Sequence, residues 1–277
     1  NNPTLTIGSG GELIMKEDSG TLDLPKIYGE ANLDAVEIVL QNGAKLDMQA
    51  GTMKNFILSG AGQLEVPTGA EFWMSGGAYL TSSDVSTSAN PEPVVLVNGG
   101  LVFVNSPAYI VGSGNVGTGV EITSGQLSGS GLTVSNVETG VSNSGGTFIM
   151  NSYSSNANTN GLVADSGTSN QLINVQINDA DVGVDILGGA TVSLDGVDVD
   201  DSTIGVRTAG SNTVTLANLD VDGTLGTTPT YGLFTTTTSS GSLTVSNSDF
   251  EGITTAVYLQ SDSVTISDTA INNGGTG

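Results

Sequence analysis

A repeat of about 22 residues is the feature that most constrains how this 277-residue chain can fold. Each copy carries a Gly-Val or Gly-Leu pair, and the last copy carries Ala-Val in its place. The pairs begin at Gly119, Gly140, Gly161, Gly183, Gly205, Gly232 and Ala256. Successive pairs are therefore separated by 21, 21, 22, 22, 27 and 24 residues. A nearly constant step of this size predicts a stacked solenoid in which each repeat forms one coil.

The repeats also contain the alternating pattern of short β-strands. Eight residues before a marker pair lies a first apolar position, which is occupied by Leu132, Tyr153, Val175 and Val197 in the regular repeats. Two residues later lies a second position, occupied by Val134, Ser155, Ile177 and Val199. The unit reads apolar-x-apolar-x-x-small-x-x-Gly-Val. This pattern predicts two period-2 strands joined by a tight corner.

Two residue types, Gly and Asn, recur at the predicted corner, just before the first apolar position. The corner residues are Gly131, Ser152, Asn174, Gly196, Asn218 and Asn247. Apart from Ser152 these are Gly and Asn, which adopt a left-handed backbone most readily. We therefore expect positive φ at the corners, and also at the marker glycines. Stacked Asn side chains are expected to pass hydrogen bonds from one coil to the next.

This combination of repeat, strand pattern and corner residues resembles the right-handed parallel β-helix (pectin-lyase-like) superfamily, and most of all its prokaryotic surface and adhesin-type members. The resemblance covers at least residues 111–271. It implies an all-β fold, a right-handed single-stranded parallel β-helix solenoid with three short strands per coil of about 21–24 residues. The superfamily includes glycan lyases, hydrolases, phage tailspikes, adhesins and surface-layer proteins, so the architecture alone assigns no activity.

Residues 1–110 contain similar short strands and glycine turns at less regular spacing. We expect them to form irregular N-terminal coils, and residues 111–277 to form regular coils of the same continuous solenoid. Two polar stretches interrupt the pattern, residues 81–93 and 223–230, and both are expected to be loops on the flank of the solenoid. No run of 18 apolar residues occurs, so no membrane-spanning segment is predicted.

Composition excludes several functions. The chain has 28 acidic and 5 basic residues, and residues 55–277 alone carry a formal charge of −19, which is the wrong sign for nucleic-acid binding. The absence of His and Cys excludes the common zinc, iron and copper sites and the nucleophiles activated by His. Charged residues make up only 12%, against about 25% in ordinary chains. A surface of Ser, Thr, Asn, Gly and scattered carboxylates favours an extracellular protein.

Carboxylates form the sharpest outward-facing feature. When the coils are aligned, Asp198, Asp220 and Asp249 form one column and Asp200, Asp222 and Glu251 form the next, with Asp201 close by. Consecutive coils stack about 4.8 Å apart. Since like charges at this spacing disfavour joint ionisation, bound cations, solvent or raised pKa values must relieve the repulsion.

Three interpretations of these seven carboxylates remain open. The first is a solvated acidic face. The second is a calcium site, since Ca²⁺ prefers oxygen ligands in flexible geometry. All seven carboxylates are then candidate ligands, and Ca²⁺ is the one cofactor that the sequence suggests. The third is a glycoside hydrolase site, which needs two carboxyl groups about 5–9.5 Å apart. The basic neighbours of acidic-sugar enzymes and an aromatic platform are missing there, so no catalytic residue is predicted.

Three further features of the sequence lead to predictions about single residues or columns. Arg207 follows Asp185 in the same outward column, which predicts a surface ion pair worth at most about 1 kcal/mol. Trp73, the only Trp, is expected to pack in the core, and the alternative is a residue that stacks on a sugar. A column of hydroxyl residues is expected at Ser193, Thr215, Thr244 and Thr265.

These observations favour a non-enzymatic extracellular structural protein from a secreted parent, such as a surface, stalk, adhesin or self-assembling filament segment. The sequence ends directly after a repeat, so we expect self-association or continuation into a longer chain through the open strand edges. The alternative is a glycan-binding or glycan-cleaving β-helix module, such as a tailspike-like protein or a polysaccharide hydrolase.

Overall fold

The structure is a computed structural model. It describes residues 4–8, 11–15, 26–28, 36–40, 45–48, 50–54, 56–60, 63–75, 78–81, 93–112, 114, 117–165, 167–222, 231–236, 241–260 and 263–272. In these ranges the chain is all-β, and none of it forms a helix. Most of both predicted loops lies outside the described residues, at 82–92 and 223–230. No described segment is a helix with the length and hydropathy needed to cross a membrane.

The first part of the chain is divided into short strands of three to five residues. They are β1 Thr4–Ile7, β2 Glu12–Met15, β3 Lys26–Tyr28, β4 Val36–Leu40, β5 Lys45–Met48, β6 Ala50–Lys54, β7 Phe56–Gly60, β8 Gln63–Pro67, β9 Glu71–Ser75 and β10 Ala78–Thr81. Strands β1 to β7 each pair in parallel with the strand three positions later, as in β1–β4–β7–β10, β2–β5–β8 and β3–β6–β9. One coil therefore contributes three strands here.

Strands of 3 to 18 residues follow, and six of them have ten residues or more. They are β11 Val95–Val111, β12 Thr118–Ser135, β13 Thr139–Asn143, β14 Thr147–Asn156, β15 Asn160–Ala164, β16 Ser169–Asn178, β17 Val182–Ile186, β18 Thr191–Asp200, β19 Ile204–Thr208, β20 Thr213–Asp222, β21 Tyr231–Thr235, β22 Ser242–Ser246, β23 Asp249–Glu251, β24 Thr255–Tyr258, β25 Ser263–Ser267 and β26 Ala270–Asn272. In β14, β16, β18 and β20 two faces of a coil join in one strand of ten residues, which bends at the corner without leaving the ladder. All described pairings are parallel, so the predicted parallel β-solenoid is confirmed.

The core is a set of aliphatic columns that run along the stack. Register places Met150, Leu172, Leu194, Leu216 and Val245 on one another, and all five are buried. The column of Tyr153, Val175, Val197 and Leu219 is buried as well, and so is the one that runs from Val120 to Leu233. Ile266 continues the first of these columns after Val245 but is 40% exposed, because no further described coil lies over it.

The corner prediction is confirmed. All six predicted corner residues have positive φ, for example 54° at Asn174 and 66° at Gly196. The amide of Asn174 donates to Oδ1 of Asn151 in the preceding coil at 3.2 Å, so a corner side chain does connect two coils. A second left-handed corner, which the sequence analysis missed, follows the second strand of the coil at Asn136, Ala157, Asp179, Asp201 and Asp268, with φ of 50–55°.

The marker glycines have a different role from the predicted one. None of them has a left-handed φ, so that prediction was wrong. A Cβ on Gly183 would lie 2.6 Å from the carbonyl oxygen of Gly205 in the next coil and 2.8 Å from Cγ1 of Val199. Gly161 and Gly205 face the same obstruction. Glycine is needed in this column because the coils approach too closely for a side chain.

Candidate functional site

Each regular coil presents three outer faces, which are easiest to define in the coil of residues 147–164. Residues 147–151 form the first face, residues 153–156 the second and β15 the third. Ser152 and Ala157, both with positive φ, form the two corners that join the faces. Outward residues at equivalent positions stack from coil to coil, so each face carries columns of side chains that are distant in sequence.

The second face carries the predicted carboxylates in the predicted columns. Asp198 pairs with Asp220, and Asp220 pairs with Asp249. The neighbouring column is Asp200, Asp222 and Glu251. We call the seven predicted residues the acidic face: Asp198, Asp200, Asp201, Asp220, Asp222, Asp249 and Glu251.

Asp201 belongs to the acidic face but lies at its edge. It occupies the second corner with φ of 51°, and its backbone N–H donates to the carbonyl oxygen of Asp222 at 3.3 Å. Its charge still acts on the neighbouring column, since it contributes to the raised pKa of Asp200. The structure therefore brings all seven predicted carboxylates to one side of the solenoid.

Two carboxyl groups on the acidic face have raised pKa values. Partial burial raises the pKa of Asp200 to about 6, and repulsion from Asp198, Asp222, Asp201 and Asp220 adds to it. The pKa of Asp220 is also raised, first by partial burial and then by the charges around it. Part of the predicted repulsion is thus relieved by protonation of Asp200 as the pH falls through about 6.

The acidic face is spread along the surface and does not converge on one point. In the described part of the chain, no three carboxylates lie together closely enough to hold a single metal ion. The carboxylates line up in columns with two or three of them on each coil, and this arrangement is not the preformed cage of a chelating calcium site. Calcium binding stays a prediction, in the form of cations that bridge neighbouring carboxylates.

Two shallow depressions lie beside these columns at the first corner, with volumes of about 250 and 440 Å³. One is lined by Ser154, Gln176 and Asp198, the other by Asp220 and Asp249, and Asn residues at the corner line both. Apolar side chains, Val175 in the first and Leu219 in the second, complete the lining, so both depressions are polar and apolar in part.

The third face contains the predicted ion pair. Asp185 and Arg207 are register partners on β17 and β19. Nε of Arg207 donates to Oδ1 of Asp185 at 2.8 Å, and Nη2 donates to Oδ2 at 2.5 Å. The side chain of Asp185 is only 7% exposed and that of Arg207 34%, so the expectation of an exposed surface pair was wrong. The guanidinium covers the carboxylate, and the hydrogen bonds to Asp185 raise the pKa of Arg207.

A group of aromatic rings lies beyond this ion pair on the same face, and the sequence analysis missed it. Tyr231, Phe234 and Tyr258 form what we call the aromatic cluster. Phe234 and Tyr258 are stacked with ring centroids 5.4 Å apart and an interplanar angle of 7°. Tyr231 lies 4.9 Å from Phe234 and 5.5 Å from Tyr258. The sequence feature that could have revealed the cluster is the outward column in which Phe234 and Tyr258 directly follow Arg207.

The only Trp does not pack in the core, so that expectation was wrong. Phe72 and Met74 point inward and are fully buried, whereas Trp73 is partly exposed on the outside. Its ring stacks on Phe103 of the next coil, with centroids 4.4 Å apart. The indole N–H donates to Oε1 of Glu71 at 2.7 Å. A second aromatic pair therefore lies on the first face, at the other end of the solenoid.

The predicted hydroxyl column is present on the first face of the last coils. Register stacks Ser193, Thr215, Thr244 and Thr265, and all four are exposed. The outward column beside it contains Asp195, Ala217, Ser246 and Ser267. This mixed neighbour column makes the face polar and irregular rather than a uniform array.

Comparisons with known proteins assign no family. Neither a protein-family model nor a curated protein matches the chain. A structural search returned the crystal structure of tailspike protein 3 of bacteriophage CBA120, with 11% sequence identity and a TM-score of 0.37. The match covers 99% of this chain and 57% of the tailspike. A similarity this low carries no argument about fold or function, so the assignment rests on the strand pairing of this chain.

Proposed function

We propose that the chain is a non-enzymatic structural segment of an extracellular or cell-surface protein, such as a stalk, adhesin or filament segment. The observation that carries the proposal is the series of parallel strand pairings from β11 to β25, which encloses an aliphatic core in coil after coil. A solenoid of this kind transmits shape and stiffness along one axis. Its outer columns of Ser, Thr, Asn and carboxylates suit a hydrated environment.

Calcium enters this proposal as a counter-ion that bridges carboxylates on the acidic face. Asp220 faces Asp198 on one side and Asp249 on the other, so a cation between coils would relieve two repulsions at once. Native mass spectrometry without chelator measures whether calcium is bound. The Asp220→Asn variant should then retain fewer calcium ions than the unmodified chain.

Electron microscopy of the negatively stained protein, first with calcium and then with chelator, tests the structural role. The proposal predicts elongated rods, and end-to-end fibres if the coils at the termini pair between copies. Loss of the fibres in chelator would place calcium at the junction. Compact particles without an axis would contradict the structural role.

One observation favours a second function, cleavage of a polysaccharide on the acidic face. Asp200 has a pKa of about 6 and stands beside Asp198 and Asp222, and an acid with a raised pKa next to a second carboxylate is what glycoside hydrolysis needs. Release of reducing ends from polygalacturonate tests this function. Activity that disappears in Asp220→Asn would establish it and remove the non-enzymatic proposal, whereas no release favours the structural role.

A further inference from the structure

We propose that Asn98 is a site of self-modification. Its side-chain amide is converted to a carboxylate through a cyclic imide that forms with the backbone nitrogen of Gly99. The reaction consumes only water, so it needs no partner protein and is independent of the structural role.

Asn followed by Gly is the pair in which this cyclisation is least hindered, because Gly has no side chain beside the attacking nitrogen. The chain contains four such pairs, which begin at Asn42, Asn98, Asn160 and Asn273. Two of them, at 98–99 and 160–161, belong to the part of the chain that the structure describes. These two pairs are identical in sequence and differ in their surroundings, so the fold decides which of them reacts.

The backbone at Asn98 departs from the regular ladder. Asn98 and Gly99 are both register partners of Pro67 in the preceding coil, and the register with the following coil shifts on both sides of Asn98. Gly99 has a φ of 91°, and a Cβ at this position would overlap with Thr68. The side chain of Asn98 is exposed. Water therefore reaches this amide at a bulge, where the ladder is locally disrupted.

Groups from both neighbouring coils contact the atoms that react. Nδ2 of Asn98 donates to Oε1 of Glu65 at 3.3 Å. Oγ1 of Thr123 donates to Oδ1 of Asn98 at 3.3 Å and shares this proton with the carbonyl oxygen of Val97, also at 3.3 Å. Oγ1 of Thr68 donates to the backbone carbonyl oxygen of Asn98 at 3.3 Å. A carboxylate thus contacts the leaving amine, and hydroxyls contact both carbonyl groups of Asn98.

The reaction has two balanced steps. The backbone nitrogen of Gly99 loses its proton and forms a bond to Cγ of Asn98, while the bond from Cγ to Nδ2 breaks and Nδ2 leaves with that proton as ammonia. One water molecule then opens the imide by breaking one of its two bonds to the ring nitrogen. Addition of water at Cγ gives an aspartate. Addition at the backbone carbonyl carbon gives an isoaspartate, in which the main chain continues through Cγ.

Each of the three contacts favours the first step. The carboxylate of Glu65 transfers a proton beside the leaving amine, which is general acid–base catalysis. The hydroxyl of Thr123 stabilises the negative charge that develops on Oδ1 when the nitrogen attacks. The hydrogen bond from Thr68 polarises the peptide group, which makes the N–H of Gly99 easier to deprotonate.

The pair at 160–161 lies in a regular part of the ladder and is the internal comparison. Asn160 is in continuous register with Thr139 on one side and Val182 on the other. A Cβ on Gly161 would lie 2.5 Å from the carbonyl oxygen of Gly183, so the next coil packs closely against this backbone. Cyclisation here has to move a strand that is held from both sides, and Asn160 should stay intact in the folded chain.

Incubation of the folded chain at neutral pH in water labelled with ¹⁸O tests the proposal. Peptide mass spectrometry measures the label at residues 98 and 160, and electron-transfer fragmentation separates aspartate from isoaspartate. The rate at Asn98 should exceed the rate at Asn160 about tenfold or more, because positioned acid–base groups accelerate proton transfer by at least this much. The same incubation in denaturant is the control, since both pairs should then react at similar rates.

Variants of the contacting residues test how the fold promotes the reaction. Glu65→Gln and Thr123→Val should each slow it about tenfold at Asn98, whereas Thr123→Ser keeps the hydroxyl and should retain the rate. Thermal unfolding shows which variants remain folded. A rate at Asn98 that does not exceed the rate at Asn160 in the folded chain overturns the proposal. An unchanged rate in folded Glu65→Gln and Thr123→Val also overturns it. None of these outcomes affects whether the chain forms rods, so the structural role is tested separately.

Discussion

The two halves of the solenoid use the same parallel ladder with very different spacing. In the N-terminal half the register steps from Thr4 to Glu37 to Ile57, which are 33 and 20 residues apart. In the regular half, β13 to β19 step by 21, 22 and 22 residues. The coils therefore stack when their inward-facing residues are in register, even where the number of residues per coil varies. The regular half adds two left-handed corners and a column of closely packed marker glycines. Its ten-residue strands β14, β16, β18 and β20 each contain the first corner.

Charged substitutions in the core should have the largest effect in both halves. Leu216→Asp and Leu64→Asp each bury an unpaired carboxylate at a position with no solvent exposure, which costs about 3–5 kcal/mol of folding free energy. Hydrogen exchange read by mass spectrometry should show lost protection in the adjacent coils, β18 and β22 for Leu216 and β5 and β11 for Leu64. Unchanged protection in either half would show that the coils there do not share a core.

The ion pair of Asp185 and Arg207 is found in the regular half and gives the next largest effect. Arg207→Met removes the cation from a nearly buried carboxylate, so chemical denaturation should show a loss of about 3 kcal/mol. The double variant Asp185→Val, Arg207→Met is the control, because Val163 already occupies the preceding position of this column. It should recover most of the loss. Equal stability of the single and double variants would contradict the pairing.

Alanine substitutions at two glycines separate the effect of close packing between coils from the effect of backbone conformation. Gly183→Ala should cost about 1–3 kcal/mol, since its Cβ meets the carbonyl oxygen of Gly205 at 2.6 Å. Gly188→Ala is the matched control, because its Cβ would meet no atom closer than 3.7 Å and its φ is not left-handed. That variant should be neutral in thermal unfolding. A similar loss in both variants would mean that the effect comes from the backbone and not from the next coil.

Protonation of the acidic face should have the smallest effect, which is a dependence of folding stability on pH. The pKa of Asp200 is about 6 in the folded chain against an ordinary 3.8, so the folded chain binds the proton more tightly than the unfolded chain. Its stabilising contribution is fully present below about pH 3.8 and is lost as the pH rises through 6. The melting temperature should therefore rise from pH 7 to pH 4.5.

Asp200→Asn is the control for this pH dependence. The variant should melt at a higher temperature than the unmodified chain at pH 7 and should vary less between pH 7 and pH 4.5. A melting temperature that falls on acidification in the unmodified chain, or a slope unchanged in Asp200→Asn, would contradict the assignment of the raised pKa to this group.

The register of the regular half could be predicted from the sequence because it is a local property repeated at a constant step. Aligning the coils on the marker pair placed Asp198 on Asp220 and Ser193 on Thr215, as the structure shows. The first left-handed corner was predictable for the same reason, since Asn and Gly recur there at a fixed distance from the apolar positions. The second corner was missed, because Ala157 and three Asp residues occupy four of its five positions.

Properties that depend on the neighbouring coil could not be predicted in this way. Strand β9 has apolar side chains at residues 72, 73 and 74, so alternation alone does not say that Trp73 is the outward one. The function of the marker glycines depends on a carbonyl oxygen one coil away. The burial of Asp185 depends on the guanidinium that lies across it. The aromatic cluster is formed by strands whose markers are 24 residues apart, next to an insertion that obscures the repeat.

Engineered disulfides test the central claim, the register of the stack, most directly, because the chain contains no Cys. In-register pairs are Thr215→Cys with Thr244→Cys in the regular half and Glu71→Cys with Leu101→Cys in the N-terminal half. Stacked Cα atoms about 4.8 Å apart lie within the range that a disulfide spans. The offset pair Thr215→Cys with Ser246→Cys is the control. Oxidation should cross-link both in-register pairs and spare the control; cross-linking of the offset pair instead would contradict the register.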